Sequence, residues 1–192
     1  MIMHTKSLIE QLTVYIPFDS QERAKHQQML EFLSRNENGF HSKHLPGHIT
    51  GSAWVLDSTK TKVLMTHHIK LGKWLQLGGH ADGSKNILEV AFREAEEESG
   101  LDSIQPLSLH IFDVDVHAIP ERKHFPNHFH YDVRFLFEAN ENEQFHISHE
   151  SFSLQWIDLE EVRRFNDEDS ILRLVEKSER MNLMSFLENG YW

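Results

Sequence analysis

Apolar residues recur with two different periods along the chain, and the change of period divides it. Residues 7–16, SLIEQLTVYI, are mildly amphipathic, and Pro17-Phe18-Asp19-Ser20 breaks the pattern. Asp19 or Ser20 can cap a helix over roughly 20–35, in which Ala24, Met29, Leu30 and Leu33 repeat at helical intervals. Asn36-Glu37-Asn38-Gly39 is a stop signal. Residues 1–45 therefore read as a helical extension packed on a main domain at 46–192. From Gly47 the texture changes to short strands. ITGSAWVLD (49–57) and KVLMTH (62–67) flank a hairpin turn at 58–61, and 74–77 is a further strand. A glycine-rich loop at 78–84 leads into a helix from about Asn86 to Ser99, with Gly100 as its stop and Asn86/Glu89 as a capping box. Strands follow at about 107–117, 128–138 and 152–158, and a helix over about 167–187 comes last. The order predicts an α/β fold, a mixed sheet with helices on its faces.

Composition narrows the class. The 192 residues include 39% hydrophobic side chains, with 13 Phe and 4 Trp, which is enough apolar material for a core. No apolar run approaches the ~20 residues that span a bilayer. Met1–Lys6 lacks the basic start and long apolar stretch of a signal peptide. Cysteine is absent, which removes disulfides, thiolate metal sites and cysteine nucleophiles and permits a reducing cytoplasm. The formal net charge of −11 disfavours nucleic acid. It also repels a small phosphorylated substrate unless cations or a local basic patch offset the acid.

Arg93-Glu94-Ala95-Glu96-Glu97-Glu98-Ser99-Gly100-Leu101 carries the chemistry. Helical spacing places Glu94, Glu97 and Glu98 on one face, while Ile87, Val90, Ala91 and Ala95 suit a core on the other. Clustered carboxylates repel one another. Either the face is simply solvated, or hard divalent ions such as Mg²⁺ or Mn²⁺ resolve the conflict. The Gly78-Gly79 pair just upstream favours the second reading, because glycine lets backbone approach a phosphate or a metal closely.

The stretch GHADGSKNILEVAFREAEEESGL, Gly79–Leu101, resembles the Nudix box, G-x5-E-x7-R-E-U-x-E-E-x-G-U, where U is bulky and apolar. Gly79, Arg93, Glu94, Glu97, Glu98, Gly100 and Leu101 fall in register, with Ala95 at the first U position. One position departs: Lys85 stands where the first box Glu belongs. The resemblance implies an α/β/α sandwich over about 47–190. It also implies Mg²⁺- (or Mn²⁺-) dependent hydrolysis of a nucleoside diphosphate linked to another group. Glu97 and Glu98 would be metal ligands, Glu94 a ligand or a base, and the Gly78 carbonyl a further ligand. Arg93 would orient the carboxylates. Family members often add a carboxylate from the loop before the late strand. Glu150 fits that place, an ordinary loop Glu is the competing reading, and Glu143 is a rival. A Glu89–Arg93–Glu97 row could offset Lys85.

Fifteen His require an account. His128, His130, Asp132 and Arg134 alternate along one strand face, and Phe129, Tyr131, Val133, Phe135 and Phe137 along the other, which reads as core. The polar face is either solvent or cleft wall, and as cleft wall His128, His130 and Arg134 would bind substrate phosphate or ribose. His80 follows the glycine pair and would lie near the diphosphate. On the first strand His48 shares a face with Thr50 and Ser52 and would line the same cleft. A histidine zinc site that adds His117 or His124 is the competing reading, without a recognised zinc spacing. Trp54, Trp74 and Trp156 read as packing residues. Phe186, Leu187, Tyr191 and Trp192 either cover the core or contact a second subunit in a homodimer. The expected partner is a small nucleotide-type molecule, with no nucleic acid and no membrane. The alternative function is a nucleotide-sensing module that has lost turnover, which only Lys85 supports. The isomerase relatives of this fold depend on a cysteine that this chain lacks.

Overall fold

The computed structural model describes residues 7–69, 71–121, 125–146 and 151–188. The elements are α1 (Leu8–Val14), α2 (Ser20–Arg35), β1 (Gly47–Asp57), β2 (Lys62–His68), β3 (Lys73–Leu75), β4 (Leu77–His80), α3 (Ile87–Ser99), β5 (Gln105–Pro106), β6 (Asp113–Ile119), β7 (His128–Ala139) and β8 (Ser151–Asp158). A 3₁₀ turn (Leu159–Glu161), α4 (Val162–Phe165) and α5 (Asp169–Glu188) follow. Local chemistry sets the helix ends. Ser7 and Glu10 form a capping box on α1, and the Asp19 carboxylate accepts from the Glu22 N–H at the start of α2. Gly100 closes α3 at φ 67°, a left-handed conformation that glycine adopts without a Cβ penalty.

The strands form one mixed, curled sheet. β1 and β7 run parallel in unbroken register, from Gly47 opposite Phe129 to Asp57 opposite Ala139. The other edge of β1 is shared: β4 pairs antiparallel with residues 50–53, and β2 with residues 55 and 56. β8 extends the β2 side, and β5 and β6 pair with β7. Every residue of β1 is buried, as expected of a central strand covered on both faces.

Because β1 and β7 are in register, side chains of the same parity share a face. Ile49, Ala53, Val55, Tyr131, Val133, Phe135 and Phe137 face one core, which α3 and the two N-terminal helices cover. Trp54, Leu56 and Leu136 face a second core under α5. On that second face the other end of both strands is polar: His48, Thr50 and Ser52 lie opposite His130, Asp132 and Arg134. Leu8, Leu12, Met29, Phe32 and Leu33 belong to the first core, and the Phe32 ring stacks on Tyr131 at 3.9 Å between centroids. The N-terminal helices thus share the core of the domain.

Buried charge ties the layers together. Asp113 of β6 accepts from Arg173 Nε at 2.7 Å, Lys177 Nζ at 2.8 Å and Arg134 Nη1 at 3.2 Å. Lys177 also donates to Glu22 of α2 at 2.6 Å. Arg134 reaches Asp132 at 2.8 Å, and Asp115 lies beside Arg134 and His117. Burial disfavours charge on Asp113, yet Arg173, Arg134 and Lys177 outweigh it and hold its carboxyl below the usual range. Asp115 is likewise burdened by burial and held low by His117, Arg134 and Arg173.

Several boundaries differ from the sequence expectation. The strand expected over 107–117 begins at Asp113. The Leu107 and Phe112 N–H groups bond to the carbonyls of Leu136 and Arg134, so five residues of one segment oppose two of β7 and the excess bows outward. Gly78-Gly79-His80 is strand rather than loop, paired with Ser52, Gly51 and Thr50. Phe129 is exposed, unlike the rest of its face. The 159–165 turns were not anticipated. Phe186 and Leu187 lie on α5, but their side chains, like Tyr191 and Trp192, fall outside the described residues.

Removing one partner from a buried ion pair typically costs about 3–5 kcal/mol. Asp113→Asn should lower the unfolding free energy at pH 7 by about that amount, measured by denaturant titration. A carboxyl held below its ordinary value stabilises the fold above that value and loses the effect as pH falls through its folded value. The gap between wild type and Asp113→Asn should therefore persist down to about pH 4, the ordinary aspartate range, and close below it.

Candidate active site

The site forms where α3 crosses β4. The apolar side of α3, Ile87, Val90, Ala91 and Ala95, is buried against the sheet, so its acidic side is turned to a cleft. The contact leaves no room for a side chain at Gly79, and the pairing with β1 leaves none at Gly78. A Cβ on Gly79 would overlap the Glu94 carboxylate, and one on Gly78 would strike Ser52 and the Gly51 carbonyl at 2.7 Å. The Gly78 N–H donates to Glu98 at 3.3 Å. The loop into α3 is held from the N-terminal region, where the Gly83 N–H donates to the Phe40 carbonyl at 2.8 Å.

The cleft has a volume of about 390 Å³, within the range of small-ligand pockets. Glu94, Glu98, Gly78, Gly79, His80 and Asp132 are among its lining residues. Burial raises the Glu94 carboxyl above the usual range. Arg93 opposes the shift, and the charges of Glu97 and Asp82 add to it. Arg93 pairs with Glu94 at 2.7 Å and Glu97 at 3.1 Å. The three glutamates do not converge equally: Glu98 is buried, Glu94 half-buried, and Glu97 is turned outward onto Arg93. Glu89 bonds to the Asn86 side chain at 3.0 Å rather than to Arg93, so the expected three-residue row is reduced to Arg93 and Glu97.

Asp132 is the best-anchored acid of the cleft. The hydroxyls of Thr50 and Ser52 donate to one of its oxygens at 2.8 Å each, and Arg134 and Gln76 donate to the other at 2.8 and 3.2 Å. Arg134 corrects the expectation of a substrate-binding cation. It is 2% exposed, and Asp132, Asp113, Asp115 and the Ser170 carbonyl take up its guanidinium. His80 and His130 do line the cleft, and His128 lines an adjoining hollow with His48. Burial, with His80 and His128 adding to it, lowers the His48 pKa to about 4. Burial, with His117 and His48 next, lowers that of His130 to about 2, so both rings are neutral at physiological pH.

Glu150 and His124 lie outside the described residues. Glu143 is spent elsewhere, accepting from the Asp102 and Ser103 N–H groups at 2.7 and 3.2 Å. Lys85 is exposed and takes no part in lining the cleft. Trp54 is fully buried and donates to Ser178. Sequence reasoning missed Gln76 and Asp82 as cleft residues. Asp82 adopts φ 47°, and the Asp-Gly pair at 82–83 signalled only a turn.

A family model described as NUDIX domain matches residues 47–177. The chain belongs to the Nudix family, and with it to the hydrolases that act on phosphorus-containing anhydrides. Among solved structures, it is similar to a Caenorhabditis elegans Ap4A hydrolase in a binary complex, at 18% identity and a TM-score of 0.55, covering 74% of this chain and 98% of that one. A NUDIX-family hydrolase from Clostridium perfringens matches at 25% identity and a TM-score of 0.52, over 70% and 97% of the two chains. The Escherichia coli dihydroneopterin triphosphate pyrophosphohydrolase matches at 13% identity and a TM-score of 0.53, over 67% and 92%. Comparison with curated proteins finds no significant match.

The two glycines should separate function from stability. Gly79→Ala meets only the mobile end of Glu94, so the protein should fold with near-normal thermal stability. Displacing that carboxylate by about 1 Å should cost about 10²-fold in kcat. Gly78→Ala meets backbone and should lower the thermal midpoint.

Proposed function

We propose that the chain is a divalent-metal-dependent pyrophosphohydrolase that cleaves the diphosphate of a small nucleotide-type substrate. The pairing of Glu94 and Glu98 against Gly78-Gly79 at the wall of a ligand-sized cleft carries the reading. The donor set fits a hard cation. It consists of carboxylate and carbonyl oxygens, with Glu94 partly desolvated and raised beside the charges of Glu97 and Asp82. Glu94 and Glu98 would hold the ion, with the Gly78 carbonyl as a further oxygen ligand. Such an ion supplies Lewis-acid polarisation of the diphosphate and a more acidic attacking water.

The chain's own residues supply the rest. Arg93 acts as a positioning residue, because its two ion pairs fix the directions of Glu94 and Glu97. The neutral His130 offers a ring nitrogen to a substrate oxygen without adding charge, and His80 lines the cleft beside it. The net charge of −11 explains why cations must accompany a diphosphate into this cleft. Names of the similar structures, Ap4A hydrolase and dihydroneopterin triphosphate pyrophosphohydrolase, agree with a nucleotide-type substrate. A cysteine-free chain suits a reducing cytoplasm.

Only with Mg²⁺ or Mn²⁺ should purified protein cleave dinucleotides to two nucleotides, nucleotide sugars to a nucleoside monophosphate and a sugar phosphate, or nucleoside triphosphates with release of phosphate or pyrophosphate. Glu98→Gln should lower kcat by about 10²–10³-fold, the loss expected when an interaction worth several kcal/mol in the transition state is removed. Metal-independent release, or an unchanged Glu98→Gln, would contradict the proposal.

A further inference from the structure

Next to the carboxylate cleft lies a second group of ligating side chains of different chemistry. One ring nitrogen from each of His48, His128 and His130 lies within 4.8 Å of the others. It is the one group of three or more His, Asp or Glu that meets this spacing among the described residues. His48 and His128 line a hollow of about 500 Å³ that shares His80, Asp82 and His130 with the cleft. We propose that His48, His128 and His130 form a three-imidazole site for a borderline divalent transition-metal ion such as Zn²⁺, separate from the oxygen ligands Glu94 and Glu98.

Three observations converge on it. First, His128 Nε2 and His130 Nε2 are 3.3 Å apart. Two nitrogens bound tetrahedrally at about 2.05 Å from zinc stand about 3.3 Å from each other. Second, His48 is 1% exposed, and neither of its ring nitrogens has a hydrogen-bond partner. The His44 backbone lies nearby and moderates the lowering of its pKa, but does not reach hydrogen-bonding geometry. A buried imidazole without a hydrogen-bond partner calls for an explanation, and an ion shared with the two facing rings would provide one. Third, His128 Nδ1 must donate to the Pro126 carbonyl at 2.9 Å, because a carbonyl only accepts. That bond fixes the tautomer and leaves the Nε2 lone pair free to ligate, the usual outer-shell arrangement of metal-bound histidine.

The protonation states agree, since burial keeps His48 and His130 neutral. The ligand type sets selectivity: imidazole suits Zn²⁺, Co²⁺, Ni²⁺ and Cu²⁺, whereas Mg²⁺ prefers oxygen. His80 and His117 flank the trio, with rings 5.2 and 5.5 Å from that of His130. Three protein ligands leave a tetrahedral ion one position for water or for an oxygen of a molecule in the cleft. The competing reading of the 3.3 Å contact is a simple hydrogen bond between the two rings, with no ion.

The test uses chelator-treated full-length protein titrated with Co²⁺ in excess Mg²⁺, followed by visible absorption. The readout is independent of turnover, so its failure would leave the hydrolase reading intact. One equivalent of Co²⁺ should give the intense absorption of a four-coordinate ion, and Zn²⁺ but not Mg²⁺ should abolish it. His128→Gln and His130→Gln should each weaken binding by at least about 10²-fold, more than the loss of an outer-shell partner. Glu98→Gln should bind Co²⁺ normally. Circular dichroism of each variant separates lost ligation from lost folding. A pale six-coordinate spectrum, or no binding at all, would overturn the proposal. So would binding that survives in both folded histidine variants or disappears in Glu98→Gln.

Discussion

The close approach of α3 to the glycines of β4 is the constraint on which the rest of the structure depends. A helix with carboxylates at 94, 97 and 98 is unstable in isolation, because like charges three and four residues apart repel. Here its apolar side is locked into the core, which forces the acid toward β4. With Gly79 in place the Glu94 carboxylate can lie against the strand backbone, and Glu98 can take the Gly78 N–H. Arg93 relieves part of the repulsion. Burial, with the charges of Glu97 and Asp82 adding to it, raises the Glu94 carboxyl, which favours a bound cation or proton.

The opposite wall of the cleft follows from the parallel register of β1 and β7. One face of this strand pair changes from histidine through hydroxyl and carboxylate to tryptophan and leucine along its length. The apolar end anchors α5. The polar end cannot be left unpaired in the interior, and the chain satisfies it in two ways. Asp132 and Arg134 are saturated by hydrogen bonds and ion pairs that continue through Asp113 to α5 and α2. His48, by contrast, has no partner, and the chemistry of its neighbours supports a metal there. The N-terminal helices take part in both the core and the charge network, which links the region before the family domain to the position of Asp113 and β6.

Much of this was legible in the sequence, and the failures share a cause. The α3 boundaries, both of its caps and the β7 alternation were readable because each is a local pattern of spacing. Sequence periodicity also showed that His128 to Arg134 share a face, but not which of them would point into solvent, cleft or an ion pair. Arg134 was misjudged because, beyond its neighbour Asp132, its hydrogen-bond partners include the Asp113 carboxylate and the Ser170 carbonyl, 21 and 36 residues away, and no local signal carries that pairing. Gly78 and Gly79 looked like loop because glycine is a poor strand former. In the fold the missing side chain of Gly79 admits Glu94 of the helix, and that of Gly78 admits Gly51 and Ser52 of β1. Helical spacing also overstated the glutamate cluster, since side-chain direction and the Arg93 pair turn Glu97 away.

The central claim is that Glu94, Glu98 and the Gly78 backbone gather a hard cation. Anomalous diffraction from a crystal soaked in Mn²⁺ tests it most directly. The account predicts a manganese peak between the Glu94 and Glu98 carboxylates, beside the Gly78 carbonyl. A map with no peak at that place, or with manganese bound solely among the histidines, would contradict it.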